Sequence, residues 1–261
     1  MKSDNLIIMA AGASSRMKRS LNREIVDSNV YEIANNSHKS LIPLGRHGRP
    51  LIYYLIKNAI KANYSNIYII TGEDNNDFKQ FIISQSFKNI NIQFVKQYIP
   101  KGREKPLGTS DAVVQALDQF PELKTNIFTV CNGDNLYSVN TLNLLKEKRN
   151  NPHALISYSW SAFNYEKERI SKFAVISMDS NNNLKDIVEK PDMDIVDNYK
   201  DKSGEIGLSM NIFSFTGSMI YSYVKNCPIN EKRNEKELPE AVRVLIRENP
   251  NSMFCYKVFE H

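Results

Sequence analysis

Cysteine is scarce. The 261 residues include three, Cys131, Cys227 and Cys255. An odd number set so far apart excludes a disulfide framework and any cysteine-based metal spacing. Long apolar runs are lacking too. The stretch Leu6–Ala11 is too short to cross a membrane, and Asp4 ahead of it argues for a first strand rather than a secretory leader. No block of like charge occurs. The 34 Lys and Arg and the 29 Asp and Glu are spread along the whole chain, for a net charge of +5. That excludes a basic arm for nucleic acid and suits small anionic ligands. Neither a Gly-x-Gly-x-x-Gly fingerprint nor a P-loop ending in Gly-Lys-Ser/Thr is present, and no repeat or low-complexity linker appears. With Cys131 inside an apolar run, reduced buried thiols are expected, and with them a cytoplasmic protein with no membrane and no nucleic-acid partner.

The apolar run Leu6–Met9 reads as a buried strand, and Ala10-Ala11-Gly12-Ala13-Ser14-Ser15-Arg16 follows it. A strand feeding a loop of small residues lets backbone N–H groups approach a ligand, and a helix opening there would favour phosphate. A polar segment from Lys18 to His38 shows little apolar periodicity and reads as a loop or insertion. Beyond it, strands are expected at Asn66–Thr71, Asn91–Lys96 and Thr125–Val130. Helices are expected at Arg49–Asn63, Asp74–Phe87, Thr109–Phe120 and Ser138–Arg149. This alternation predicts a doubly wound, parallel α/β core. Ligands of such sheets bind beyond the carboxyl ends of the strands. The loops Ala10–Arg16 and Asn132–Asn135 both follow such ends, which predicts that they share one edge.

From His153 the pattern shifts to strands at Ala154–Trp160, Lys172–Met178, Leu184–Glu189 and Glu205–Phe215, with a turn at Asp179–Asn183. Helices at Thr216–Asn226 and Glu237–Asn249 and a strand at Met253–Phe259 complete the chain. The expectation is one domain over 1–261, with a nucleotide-binding half to about 150 and a substrate-covering half after it.

Five motifs in order carry a resemblance. They are Ala11–Arg16, Lys39-Ser40-Leu41-Ile42-Pro43, Gln97 with Gly108-Thr109-Ser110-Asp111-Ala112, Gly133-Asp134, and Val188-Glu189-Lys190-Pro191. Together the chain resembles the sugar-phosphate nucleotidylyltransferases, which join a nucleoside triphosphate to a sugar 1-phosphate and release pyrophosphate. The resemblance implies a Rossmann-like nucleotide-diphospho-sugar transferase fold, a mixed but mostly parallel sheet flanked by helices. It implies that Arg16 holds the pyrophosphate leaving group, Lys39 the phosphates at the attack site, and Lys190 the sugar phosphate. Asp134 would hold Mg²⁺, a hard ion that prefers oxygen. Ala11, Gly12, Gly108 and Thr109 would line the nucleotide, and the Gln97 amide would read a base edge. Fixed cations suit a reaction between two anions.

Three departures stand beside the resemblance. Arg16 and Lys39 lie 23 positions apart (39 − 16), a wider gap than the family's. Met210-Asn211-Ile212-Phe213 replaces the sugar-pocket glycine, so Asn211 either bonds a sugar hydroxyl or fills a turn. No second metal ligand is evident before His261, which reads as a truncated or divergent carboxyl end and a slow enzyme, unless Glu235, Glu237 or Glu240 substitutes. A homo-oligomer stays open. Two other readings also stay open: a cytidylyltransferase acting on phosphocholine or a similar alcohol phosphate, suggested by His38-Lys39-Ser40-Leu41, and a non-catalytic sugar-nucleotide sensor.

Overall fold

A computed structural model describes residues 4–12, 38–44, 46–163 and 166–260. Arg16 and the polar segment up to residue 37 lie outside the described residues.

The first strand, β1 (Asn5–Met9), has Leu6, Ile7 and Ile8 fully buried, which is why it reads as continuously apolar. A 3-10 turn at Lys39–Leu41 follows, then a short antiparallel ribbon of β2 (Pro43–Leu44) and β3 (Arg49–Pro50). Helix α1 (Leu51–Lys61) starts directly after Pro50, whose ring suits an extended lead-in but gives no N–H. Its buried face is Ile52, Leu55, Ile56 and Ala59, and Asn63 ends it in the left-handed region. Strand β4 (Asn66–Thr71), helix α2 (Asn76–Gln85), strand β5 (Asn91–Lys96), helix α3 (Thr109–Gln119) and strand β6 (Ile127–Asn132) continue the alternation. These strands lie in the order β5-β4-β1-β6, all parallel.

Helix α4 (Val139–Leu144) is shorter than the periodicity predicts. Ser138 caps it by accepting the Thr141 N–H. Beyond Leu144 the chain continues in turns, with Lys146 N–H on the Asn143 carbonyl and Glu147 N–H on the Leu144 carbonyl, and Arg149 donates to the Leu145 carbonyl at 2.9 Å and to Ser214 Oγ at 2.7 Å.

The second half adds β7 (His153–Ser159), β8 (Ala174–Met178), β9 (Leu184–Glu189), β10 (Gly207–Ser209), β11 (Ile212–Thr216), helices α5 (Gly217–Lys225) and α6 (Leu238–Glu248), and β12 (Met253–Val258). The sheet continues β6-β11-β7-β10-β8-β9, with β12 parallel to β7 on its other side. By these pairings β1, β4, β5, β6, β7, β8 and β12 run one way and β9, β10 and β11 the other. The mixed, mostly parallel sheet is as expected. One strand expected over Glu205–Phe215 is two, because Asn211 takes a positive φ of 54°. That kink lets β10 pair with β7 and β8 while β11 pairs with β6 and β7.

Two apolar clusters cover the two faces. Ile7, Ile70, Val130 and Phe213 point towards α3, α5 and α6. Their neighbours Leu6, Ile8, Ile69, Cys131 and Ile212 point towards α1 and α4, as the two-residue period of a strand requires. All three cysteines are free and buried. Among the described residues no helix is long and apolar enough to cross a membrane.

Candidate active site

The predicted meeting of two loops rests on β1 and β6 being neighbours. Met9 pairs with Asn132, and the Gly133 N–H donates to the Met9 carbonyl at 2.8 Å. The chains approach so closely that a Cβ on Gly133 would sit 3.1 Å from that carbonyl oxygen. Ala10 therefore stands beside Gly133, which brings Ala11, Gly12 and Asp134 to the same edge of the sheet. Ser138 rather than Asp134 caps α4, which leaves the Asp134 carboxylate for other work.

Lys39 is brought to the same place by its turn. Ser40 beneath it is fully buried, and Leu41 packs on the α1 face. The Lys39 ammonium donates to Asp134 Oδ2. Both side chains stay about one-third exposed, so each remains accessible to a ligand. A cavity of about 240 Å³ opens beside this loop, lined by Gly12, His38, Asp74, Asp77 and Phe78 among others. A somewhat larger cavity of about 280 Å³ lies away from the predicted residues, over Ser157 and Gly207.

Gln97, Gly108 and Thr109 form a second group. The Gln97 amide, 3% exposed, donates to the Gly108 carbonyl and to Asp111 Oδ2, each at 3.0 Å. Both its hydrogens are thus held inside the protein. Gly108 opens α3 with φ +124°, and a Cβ there would meet the Lys236 carbonyl oxygen at 2.4 Å. The Lys236 N–H donates to the Leu107 carbonyl, and Thr109 Oγ1 accepts the Leu238 N–H at 2.9 Å.

Lys190 and Asn211 form the third. The Lys190 N–H donates to the Phe173 carbonyl, next to the Ala174↔Ser209 pair. That pair adjoins Met210, whose carbonyl accepts from Asn135 Nδ2 at 3.1 Å and the Tyr137 hydroxyl at 2.7 Å. Hydrogen bonds thus connect the neighbourhood of Lys190 to the loop that carries Asp134. Lys190 Nζ lies 3.4 Å from Glu189 Oε1. Asn211 Oδ1 and Glu189 Oε2 are buried and accept no hydrogen bond from the described residues, and orphaned acceptors of this kind cost free energy unless a donor satisfies them.

Sequence reasoning named Glu235, Glu237 and Glu240 only as substitute metal ligands and missed that their segment joins the second and third groups. Arg233 reaches Glu189 at 3.7 Å and also binds Glu237, while Lys236 and Leu238 clasp Gly108 and Thr109. Burial raises the Glu237 carboxyl above its usual range, against the pull of Arg233. The signal was the alternation of charge in Glu231-Lys232-Arg233-Asn234-Glu235-Lys236-Glu237, which reads equally well as a solvated surface. Glu237 is held by Arg233 and by Asn230 Nδ2 at 3.0 Å. Among the described residues no three His, Cys, Asp or Glu side chains gather to hold a metal. The hard carboxylate of Asp134, just past the end of β6 and about one-third exposed, fits a divalent cation that prefers oxygen.

A small-residue loop, a lysine and a carboxylate stand at one carboxyl edge of this parallel-rich α/β sheet, the place where such sheets bind ligands. The family model of nucleotidyl transferases matches residues 27–259, and the chain belongs to that family. It is 24% identical over 249 residues to the bifunctional protein GlmU of Staphylococcus haemolyticus, covering 94% of this chain and 46% of that one. It is 26% identical over 243 residues to GlmU of Methanocaldococcus jannaschii, covering 93% and 47%. The chain thus spans about half the length of these curated relatives. The structure of a UDP-glucose pyrophosphorylase complexed with UDP-glucose superposes with TM-score 0.68 at 17% identity, over 98% of this chain and 91% of that one. A Bacillus anthracis protein assigned as a glucose-1-phosphate thymidylyltransferase gives 0.68 at 20%, over 97% and 86%. The resemblance to nucleotidyltransferases of sugar-phosphate type is borne out, in sequence by the family and in fold by these structures.

Proposed function

We propose that the protein transfers a nucleoside monophosphate from a nucleoside triphosphate to a sugar 1-phosphate. An acceptor phosphate oxygen attacks the α-phosphorus, a new P–O bond forms, and the bond to the β-phosphate breaks to release pyrophosphate. The carrying observation is the Lys39–Asp134 pair at the joined ends of β1 and β6. A fixed cation and a fixed carboxylate beside a backbone loop suit a reaction limited by positioning and charge. Lys39 faces the α-phosphate, Ala11 and Gly12 the triphosphate, and Gly108 and Thr109 the nucleoside. The Gln97 side chain is assigned to the base edge on its motif position, with its amide hydrogens held by Gly108 and Asp111. Arg16 is proposed for the leaving group on the motif alone. Asp134 would hold Mg²⁺, which when bound neutralises the phosphates.

Lys190 holds the acceptor's phosphate. The buried oxygens Asn211 Oδ1 and Glu189 Oε2 favour a sugar over phosphocholine. Both need hydrogen-bond donors; sugar hydroxyls supply them and a quaternary ammonium has none. The division into a nucleotide half to about residue 150 and an acceptor half after it follows from these roles. The buried thiols and soluble substrates favour the cytoplasm. The test is pyrophosphate release over a matrix of triphosphates and phosphorylated acceptors with Mg²⁺. Release with one sugar 1-phosphate is expected. Release with phosphocholine supports the cytidylyltransferase instead, and binding of nucleotide without release with any acceptor supports a sensor.

A further inference from the structure

Gly12 and His38 are 26 positions apart. Among the described residues, non-covalent contacts place Lys39 against the loop it serves. His38 makes two of them. Its Nε2–H donates to the Gly12 carbonyl at 2.7 Å, and its Nδ1 accepts the Ser40 N–H at 3.2 Å. Both bonds hold together only in the neutral Nε2–H tautomer. The Ser40 bond caps the turn that begins with Lys39. The Gly12 bond ties that cap to the small-residue loop. Phe78, with ring centroids 5.2 Å apart, fixes the plane of the imidazole.

We infer that His38 is a positioning residue that registers Lys39 against the Ala11-Gly12 loop by bridging the two ends of the intervening segment. The inference rests on the proposed nucleotidyl transfer, and His38 acts through Lys39 rather than on substrate. Buried Ser40 and the packing of Leu41 keep the turn folded without His38, so its loss misplaces Lys39 rather than unfolding it. Misplacement by about 1 Å costs on the order of a hundred-fold in rate.

Three variants of the full chain separate the two bonds. His38→Gln presents an amide N–H at about the reach of Nε2 and keeps the Gly12 bond. His38→Asn presents an oxygen near the place of Nδ1 and keeps only the turn cap. His38→Ala loses both. With the triphosphate and sugar 1-phosphate that release most pyrophosphate, kcat is expected to fall on the order of ten- to a hundred-fold in the Ala and Asn variants. The KM for the acceptor is expected to stay near the wild-type value, and Gln is expected to restore most of the rate. Rescue by Asn but not Gln, an unchanged kcat in the Ala variant, or a matching loss of kcat and acceptor binding overturns the inference. If wild type releases no pyrophosphate from any pair, the proposed transfer fails, and the tie is read instead from ¹⁵N NMR of the His38 ring. A neutral Nε2–H tautomer supports it and the Nδ1–H tautomer overturns it.

Discussion

Lys39 donates to the carboxylate of Asp134 across 95 positions of sequence. The pair exists because β1 and β6, far apart along the chain, are adjacent in the sheet. Its members are about one-third exposed, so it adds little to stability, about 0–1 kcal/mol. Its value lies in presenting opposite charges side by side where a triphosphate and its cation would meet. Asp134→Asn is therefore expected to leave the fold intact and to slow Mg²⁺-dependent turnover by several kcal/mol of barrier, on the order of a thousand-fold. Steady-state rates and a melting curve together check this. Wild-type turnover in the variant would remove Asp134 from the site.

Lys190 sits next to Glu189 and is joined to the Asp134 loop through Phe173, Ser209 and Met210. Lys190→Ala is expected to raise the KM for the phosphorylated acceptor on the order of ten-fold or more, the scale of a charge-assisted hydrogen bond. Affinity for the triphosphate, measured by titration without acceptor, should stay near wild type. Equal weakening of both ligands would contradict the division between the halves.

Gly108 combines φ +124° with a contact that a Cβ would make at 2.4 Å to backbone oxygen. Gly108→Ala is expected to destabilise by about 1–3 kcal/mol and to displace Thr109 from Leu238. Denaturant unfolding of the two proteins measures it; an unchanged midpoint would show that the Lys236 backbone yields freely.

The fold was legible where one residue type repeated with one period. Ile52, Leu55, Ile56 and Ala59 announce α1, and the uninterrupted Leu6-Ile7-Ile8 announces a strand buried on both faces. Strand order was legible only for the βα alternation of the first half. Nothing local tells β12 to lie parallel to β7, or Asn211 to adopt positive φ and split one apolar run into two strands. The site followed the same division. Lys39, Asp134 and Gly108 carry motif positions. Arg233 earns its place from a long-range ion pair with Glu189, and Glu237 from its pair with Arg233, neither of which charge alternation alone encodes.

His153 is fully buried, with its Nδ1 accepting the Thr216 N–H at 3.3 Å. Burial, with Arg149 adding to it, holds its pKa down to about 3. The folded value lies below the unfolded one, near 6.5, so the unfolded chain binds the extra proton. Stability is complete above about pH 6.5 and falls as pH drops towards the folded value, by about 1.4 kcal/mol per unit from this residue. His153→Gln should lack that slope between about pH 6.5 and 5, above the range where carboxylates protonate. Urea midpoints across that window test it, and parallel slopes in both proteins would contradict the assignment.

The central claim is that the α-phosphorus moves to a sugar phosphate. A triphosphate labelled with ³²P at the α position, incubated with the protein, Mg²⁺ and a sugar 1-phosphate, measures this directly. The account predicts that the label appears in a nucleoside diphosphate sugar and that the released pyrophosphate is unlabelled. Label that stays in the triphosphate, or in free nucleoside mono- or diphosphate with every acceptor, would contradict it.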